Sequence, residues 1–211
     1  NALGEFRVPN LLPVLIAAAG QGTTDQEAAV RFAALKSIAV YLEANPSERV
    51  ASAAALRAVI DKAAQDEKPL LRSTAAFAYS VLESPEALTG LERLLHDANP
   101  DVRYNAALNL ARRADPRAID VILEMLEPTV AVASANDNED DKQALGSKRV
   151  AIHVNALRTL ATLAPKLTAP QQSAVRQALK KLIASEVPAA VQAQANETLA
   201  QWPAPASPPQ P

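Results

Sequence analysis

Apolar and polar positions repeat in one short pattern at five places along the chain: a branched apolar residue, a mostly polar one, and alanine three positions after that. The five stretches are Val30-Arg31-Phe32-Ala33-Ala34, Leu71-Arg72-Ser73-Thr74-Ala75, Val102-Arg103-Tyr104-Asn105-Ala106, Ile152-His153-Val154-Asn155-Ala156 and Val191-Gln192-Ala193-Gln194-Ala195. Self-similarity at periods of a few tens of residues is the mark of a stacked repeat, in which each unit buries its apolar face only against its neighbours. The pattern predicts a helical solenoid, and with it a surface for holding another molecule.

Successive branched positions lie 41, 31, 50 and 39 residues apart. The shortest interval has room for two helices of three to four turns and their connections. Six positions before each motif's polar residue stand Asp25, Asp66, Asp97, Ser147 and Glu186, all able to accept a hydrogen bond in the turn leading into a helix. Pro69, Pro100 and Pro188, two or three residues before their branched positions, suit a first helical turn. First helices are accordingly expected at Asp25–Ala44, Pro69–Leu82, Pro100–Arg113, Lys148–Leu163 and Pro188–Trp202. Second helices alternate with them at Val50–Gln65, Pro85–Leu95, Pro116–Leu126 and Ala169–Ala184, with apolar residues at helical spacing such as Ile119, Ile122, Leu123 and Leu126. An initial helix near Pro9–Ala19 reads as the second half of a repeat, which makes the N-terminal end a cut or uncapped surface.

The longest interval exceeds the shortest by 19 residues, the length of the polar stretch Thr129–Ser147. Asn136 to Lys142 is too charged and too poor in apolar residues to bury, so 129–147 is expected to be an acidic surface-loop insertion. The tail 203–211 is proline-rich and should stay extended and disordered. The repeat domain is expected to fill 1–202.

The run His96-Asp97-Ala98-Asn99-Pro100-Asp101-Val102-Arg103-Tyr104-Asn105-Ala106-Ala107-Leu108-Asn109-Leu110-Ala111, followed by Asp115-Pro116-Arg117-Ala118-Ile119, closely resembles a unit of the bacterial HEAT-repeat family, especially the short subtype also seen in phycobilin lyases. The other four motifs extend the alignment over about residues 8 to 202. The resemblance implies an all-α fold, a right-handed α-α superhelix of about five helical hairpins, whose concave face commonly binds other proteins.

Composition narrows this picture. Half of the 211 residues are apolar, but only 3% are aromatic, which suits closely packed, alanine-rich helices. A net charge of −2 provides no global attraction to nucleic acid or to acidic membranes. Without cysteine there is no disulfide or thiolate metal site, and cytosol and periplasm suit the chain equally. No apolar run approaches the roughly 18 residues of a membrane span. The first residue is Asn1 rather than Met, so a preceding segment is expected to have been removed.

Arg31, Arg72 and Arg103 read as structural, because the acidic column offers them partners in their own or neighbouring turns. His153 shares their column and reads the same way; His96, at a helix end, should be solvated. No histidine is followed by glutamate, which disfavours HEAT-like di-iron chemistry, and no metal or cofactor is expected. Asp137, Glu139 and Asp141 alternate as calcium ligands would, yet Lys142 stands where an EF-hand-type loop needs glycine. Arg176, Lys180 and Lys181 form the one concentrated basic helix, a small basis for nucleic-acid binding. No glycine-rich phosphate loop or nucleophile–base arrangement is present in the sequence, so no catalytic residue is assigned. The expected function is a non-enzymatic scaffold holding a protein or peptide on the concave face of the second helices. The candidate contacts are Arg57, Asp61, Glu92, Arg93, Asp120, Glu124, Arg176 and Lys180. A bilin lyase or chromophore-handling protein is the alternative that the resemblance implies.

Overall fold

The computed structural model describes residues 11–22, 24–51, 53–132 and 139–203, without the side chains of 50, 51 and 139–142. All regular structure among the described residues is helical. The helices are α1 (Leu11–Gly20), α2 (Asp25–Ala44), α3 (Glu48–Ala51), α4 (Ala53–Ala63), α5 (Pro69–Ser80), α6 (Pro85–Leu94), α7 (Pro100–Ala111), α8 (Ile119–Met125), α9 (Glu139–Leu163), α10 (Ala169–Ile183) and α11 (Ala189–Gln201). They gather into two compact units, divided within α7 between Asn109 and Leu110.

In the first unit α2 packs on α5 and α1 on α4, while α1 with α2 and α5 with α6 form hairpins. In the second unit α9 packs on α11 and α8 on α10, with α10 and α11 paired as a hairpin. First helices thus stack on first helices and second on second in each unit. Through its packing on α4, α1 joins the second-helix layer.

Local chemistry sets the helix starts. Thr24 caps α2 in a reciprocal box: its backbone N–H donates to Glu27 Oε2 at 2.8 Å and its hydroxyl accepts from the Glu27 amide at 3.3 Å. Thr168 and Gln171 form a second box at α10. Ser84 accepts from the Ala87 amide at 3.2 Å, with Pro85 in the first turn of α6. Before α5 and α7, Asp66 and Asp97 fold the turn itself, accepting from the amides of Lys68 at 2.9 Å and Asn99 at 2.8 Å.

The acidic column works in this way only at Asp66 and Asp97. Asp25 lies inside the first turn of α2, where Thr24 has taken the capping position, and it pairs with Lys68. Ser147 lies inside α9, and Glu186 is exposed in the turn before α11. The expected 129–147 loop needs the same correction over its second half, because Glu139–Ser147 continue α9 upstream by nine residues from the expected start at Lys148. Glu, Lys, Gln, Ala and Leu make up most of 139–145, all strong helix formers, so propensity favours the helix even where the residues have little to bury. Residues 133–138, including Asp137, and the tail from 204 onward lie outside the described residues. The helix expected at Val50–Gln65 starts at Ala53 after the short α3, and that expected at Pro116–Leu126 opens with a 3-10 turn over Pro116–Ala118, where the Asp115 carboxylate accepts the Arg117 amide at 3.1 Å.

The motif alanines Ala34, Ala75, Ala106, Ala156 and Ala195 are all buried. So are Leu71, Val102, Ile152 and Val191, but Val30 is 52% exposed. Leu35, Ile38, Leu42, Leu56, Ile60, Leu71, Tyr79 and Leu91 fill the first unit's core; Ile122, Met125, Leu160, Val175, Leu179 and Val191 fill the second's.

Candidate functional site

The motif arginines are structural ties. Arg31 Nη1 reaches Asp66 Oδ2 at 2.7 Å, joining α2 to the turn that starts the next hairpin. Arg72 does the same one unit on, donating from Nε and Nη2 to the two Asp97 oxygens at 2.6 and 2.8 Å, while its Nη1 donates to the Asp66 and Glu67 carbonyls. Arg103 donates to the carbonyls of Asp97 and Ala98 at 2.8 and 3.1 Å. Burial alone would raise the carboxyls of Asp66 and Asp97. Turn amides and the facing guanidinium groups outweigh it and hold both below the usual carboxylate range. In the second unit His153 is buried with Nε2 2.9 Å from the Glu127 carbonyl, and in the first His96 is exposed.

The first unit brings four polar side chains of α4 and α6 together around a buried tyrosine. Arg57 and Asp61, one turn apart on α4, meet at 3.3 Å, and Arg57 Nη1 lies 3.8 Å from Glu86 at the start of α6. Tyr79 of α5, 2% exposed, passes between the helices and donates its hydroxyl to Asp61 Oδ1. Burial and then this bond to a carboxylate raise the Tyr79 hydroxyl well above its ordinary range, so it remains a donor. Gly90 of α6 makes room for the ring, since a β-carbon there would come within 2.5 Å of Tyr79 Cζ. Arg93, exposed on α6, donates to the Thr89 carbonyl at 3.4 Å.

Beside this cluster lies a cleft of ≈370 Å³. Pro46, Ala53, Ala54 and Leu82 provide apolar surface; Arg49, Arg57, Glu83, Ser84 and Glu86 provide charge and hydrogen-bonding groups. Arg49 is held by Leu42 O at 3.1 Å and Glu83 Oε1 at 2.5 Å. Glu86 stays ionised, lowered by its own amide, the Ser84 hydroxyl and Arg57. The arrangement offers alternating cationic and anionic positions over an apolar wall, which suits a polypeptide segment more than a uniformly charged polymer.

Among the other candidates, Glu92 on α6 is half-buried and engaged. In the second unit Asp120 is exposed on α8, Glu124 is half-buried and engaged on the same helix, and Lys180 is exposed on α10. Arg176 is committed to the backbone, its Nη2 donating to the carbonyls of Trp202, at 3.3 Å, and Pro203. Lys181 pairs with Glu127 at 2.5 Å. The basic helix therefore has two of its three cations tied to its own unit. Sequence reasoning missed Tyr79, Gly90, Arg49 and Glu86; only the interruption of a helix by Gly90 gave any sign of a close approach.

Stacked helical hairpins arranged in two layers define an α-helical repeat protein. Within that class, residues 56–136 match the family model for HEAT repeats. The match is to HEAT repeats in general and does not select the phycobilin-lyase subtype. No curated protein matches the chain in sequence. Among the described residues no helix is long and apolar enough to cross a membrane, and no group of His, Cys, Asp and Glu is placed to hold a metal ion.

Proposed function

We propose that the protein is a non-enzymatic scaffold that binds a protein or peptide through its second helices, with the first unit's cleft as the anchoring site. Arg57, Asp61, Glu92 and Arg93 are the contacts in that unit, and Asp120, Glu124 and Lys180 the contacts in the other. Arg176 acts by holding the chain beyond α11 in place. HEAT repeats commonly mediate protein interactions, which supports the class of partner. The observation that carries the reading is Arg57: it is 47% exposed and lies between Asp61 and Glu86 at the edge of the cleft. An incoming carboxylate can compete for such a guanidinium without leaving it unpaired when the partner departs.

The test is affinity capture from the source cell, identification of the bound protein by mass spectrometry, and measurement of its affinity with purified variants. Arg57→Glu combined with Arg93→Glu should weaken the complex at least tenfold while leaving the thermal midpoint nearly unchanged. Arg176→Glu should instead lower the midpoint. Unchanged affinity in the Arg57/Arg93 variant rejects the cleft as the anchor.

A further inference from the structure

The Arg57 guanidinium is oriented from one side and left open on the other. Asp61, one turn on along α4, takes only its Nε, at 3.3 Å, and among the described residues this is the one hydrogen bond the guanidinium makes. Asp61 is itself fixed from behind, because its second oxygen accepts the hydroxyl of the buried Tyr79. Glu86 lies 3.8 Å from Nη1, beyond hydrogen-bond reach, and its carboxylate is already taken by its own amide and the Ser84 hydroxyl. The side chain of Arg57 is 47% exposed, so its Nη1–Nη2 edge is a planar pair of donors held in one orientation and facing water.

One turn before Arg57 on the same helix, the exposed Ala53 and Ala54 form the apolar wall of the cleft with Pro46, over the buried Leu82. Open donors and a small apolar surface thus start from helix positions about one turn, roughly 5.4 Å, apart. At ≈370 Å³ the cleft is near the lower end of the roughly 300–1,000 Å³ usual for binding sites, and a helix about 10 Å across does not fit it. In an extended segment neighbouring side chains point to opposite faces, so an internal Asp or Glu seated on Arg57 turns the next apolar side chain away from the wall. A chain end has no such conflict, because the terminal carboxylate and the last side chain branch from one Cα. Asp61 and Glu86 flank the guanidinium, which favours a monoanion there over a phosphate dianion.

We infer that the cleft holds the C-terminal end of a partner polypeptide. The terminal carboxylate lies end-on against Nη1 and Nη2 of Arg57, and the last side chain, an aliphatic one, covers Ala53, Ala54 and Pro46. Glu83 completes the site. Its side chain is 79% exposed, and among the described residues only Oε1 is engaged, by Arg49, so Oε2 can accept a backbone N–H of the incoming chain. The inference rests on the cleft being the anchoring site of the proposed scaffold, and it names what the partner must bring: a free C-terminus on Leu, Ile, Val or Met. An uncharged aliphatic side chain matches a wall built from two methyl groups and a proline ring, while the single negative charge of the chain end matches the one open cationic edge.

Random heptapeptide C-termini displayed on phage and selected against the full chain supply the probe. The selected peptides, synthesised with an N-terminal fluorophore and followed by fluorescence anisotropy, should end in an aliphatic residue. Amidating that C-terminus should weaken binding at least tenfold. Arg57→Gln should do the same, and so should Arg57→Lys, which keeps the charge but not the fork, both at an unchanged thermal midpoint. No enrichment of aliphatic chain ends, equal binding of the amidated peptides, or equal binding by Arg57→Gln overturns the inference. The scaffold reading fails separately. If a captured protein depends on Arg57 and Arg93 yet binds as tightly with a Gly-Ser extension after its last residue, the scaffold stands and the chain-end occupant is wrong.

Discussion

Among the described residues two glycines, Gly90 and Gly146, lie in helix interiors, and the same substitution should move stability in opposite directions at them. Replacing helical glycine with alanine gains about 1 kcal/mol of helix propensity where nothing else changes. Gly146 of α9 is exposed, and a β-carbon there meets nothing within 4 Å, so Gly146→Ala should stabilise by up to about 1 kcal/mol. At Gly90 the new methyl would lie 2.5, 2.7 and 2.9 Å from three ring carbons of Tyr79. Ordinary carbon contacts need about 3.5 Å, so the ring must retreat by nearly 1 Å. It has little freedom to do so, being buried and tethered by its hydroxyl to Asp61. Overpacking costs about 1–3 kcal/mol and a strained bond to a carboxylate up to about 2 more, against the 1 kcal/mol gained. Gly90→Ala should destabilise by about 2 kcal/mol. Urea unfolding followed by far-ultraviolet circular dichroism measures both variants, and the fluorescence of the single tryptophan, Trp202, reports the second unit separately. In a Tyr79→Leu background, which removes the ring, the penalty of Gly90→Ala should vanish. If Gly90→Ala stabilises as much as Gly146→Ala, the Tyr79 ring does not occupy the space above Gly90.

Ala106→Leu should overpack a fully buried position and lower stability by about 1–3 kcal/mol in the same urea assay; an unchanged midpoint would mean the site is roomy. Asp97→Asn keeps the turn but removes the carboxylate that Arg72 grips. Because the folded Asp97 carboxyl is held below its ordinary value, its contribution is present above about pH 4 and is lost as pH falls through the lower folded value. The difference in thermal midpoint between the parent and Asp97→Asn should thus be constant from neutral pH down to about pH 5 and shrink in stronger acid; a difference independent of pH would refute the pairing. Ala114, at φ 55°, occupies the left-handed region at the turn after α7, so Ala114→Gly should raise the midpoint, equivalent to about 1 kcal/mol, and a lowered midpoint would show the strain is absent.

Helices whose ends are marked by local chemistry were legible in the sequence. The limits of α2 follow from the polar turn before Asp25 and from Asn45-Pro46 after it, and the starts of α5, α6, α7 and α10 follow from their prolines and capping residues. Arg31–Asp66 and Arg72–Asp97 could be anticipated because donor and acceptor each recur in a column. The added turns of α9 could not, because the acidic run that made 139–147 look like a loop is also built from helix formers. The cluster around Tyr79 was hidden for another reason. Asp61, Tyr79 and Gly90 lie on three helices at unrelated spacings, so no periodicity joins them. Arg176 looked like a free surface cation because a sequence does not reveal that the carbonyls after α11 turn back toward α10.

The ties that Arg31 and Arg72 make also bear on how such a chain can change in length. Each arginine reaches forward to an aspartate that does the same two things in either turn, accepting the guanidinium and the amide two residues on. Removing residues 66–96 would join Gln65 to Asp97 and give Arg31 the partner that Arg72 now has, with the Asn99 amide replacing that of Lys68. Nothing in the tie specifies which unit comes next. Loss or duplication of a whole 31-residue module therefore regenerates a competent junction in one step, and the tie also accommodates different spacings, since Arg31 and Asp66 lie 35 residues apart and Arg72 and Asp97 25. The geometry lets the array grow and shrink in whole units, with selection acting afterwards on the faces each unit displays.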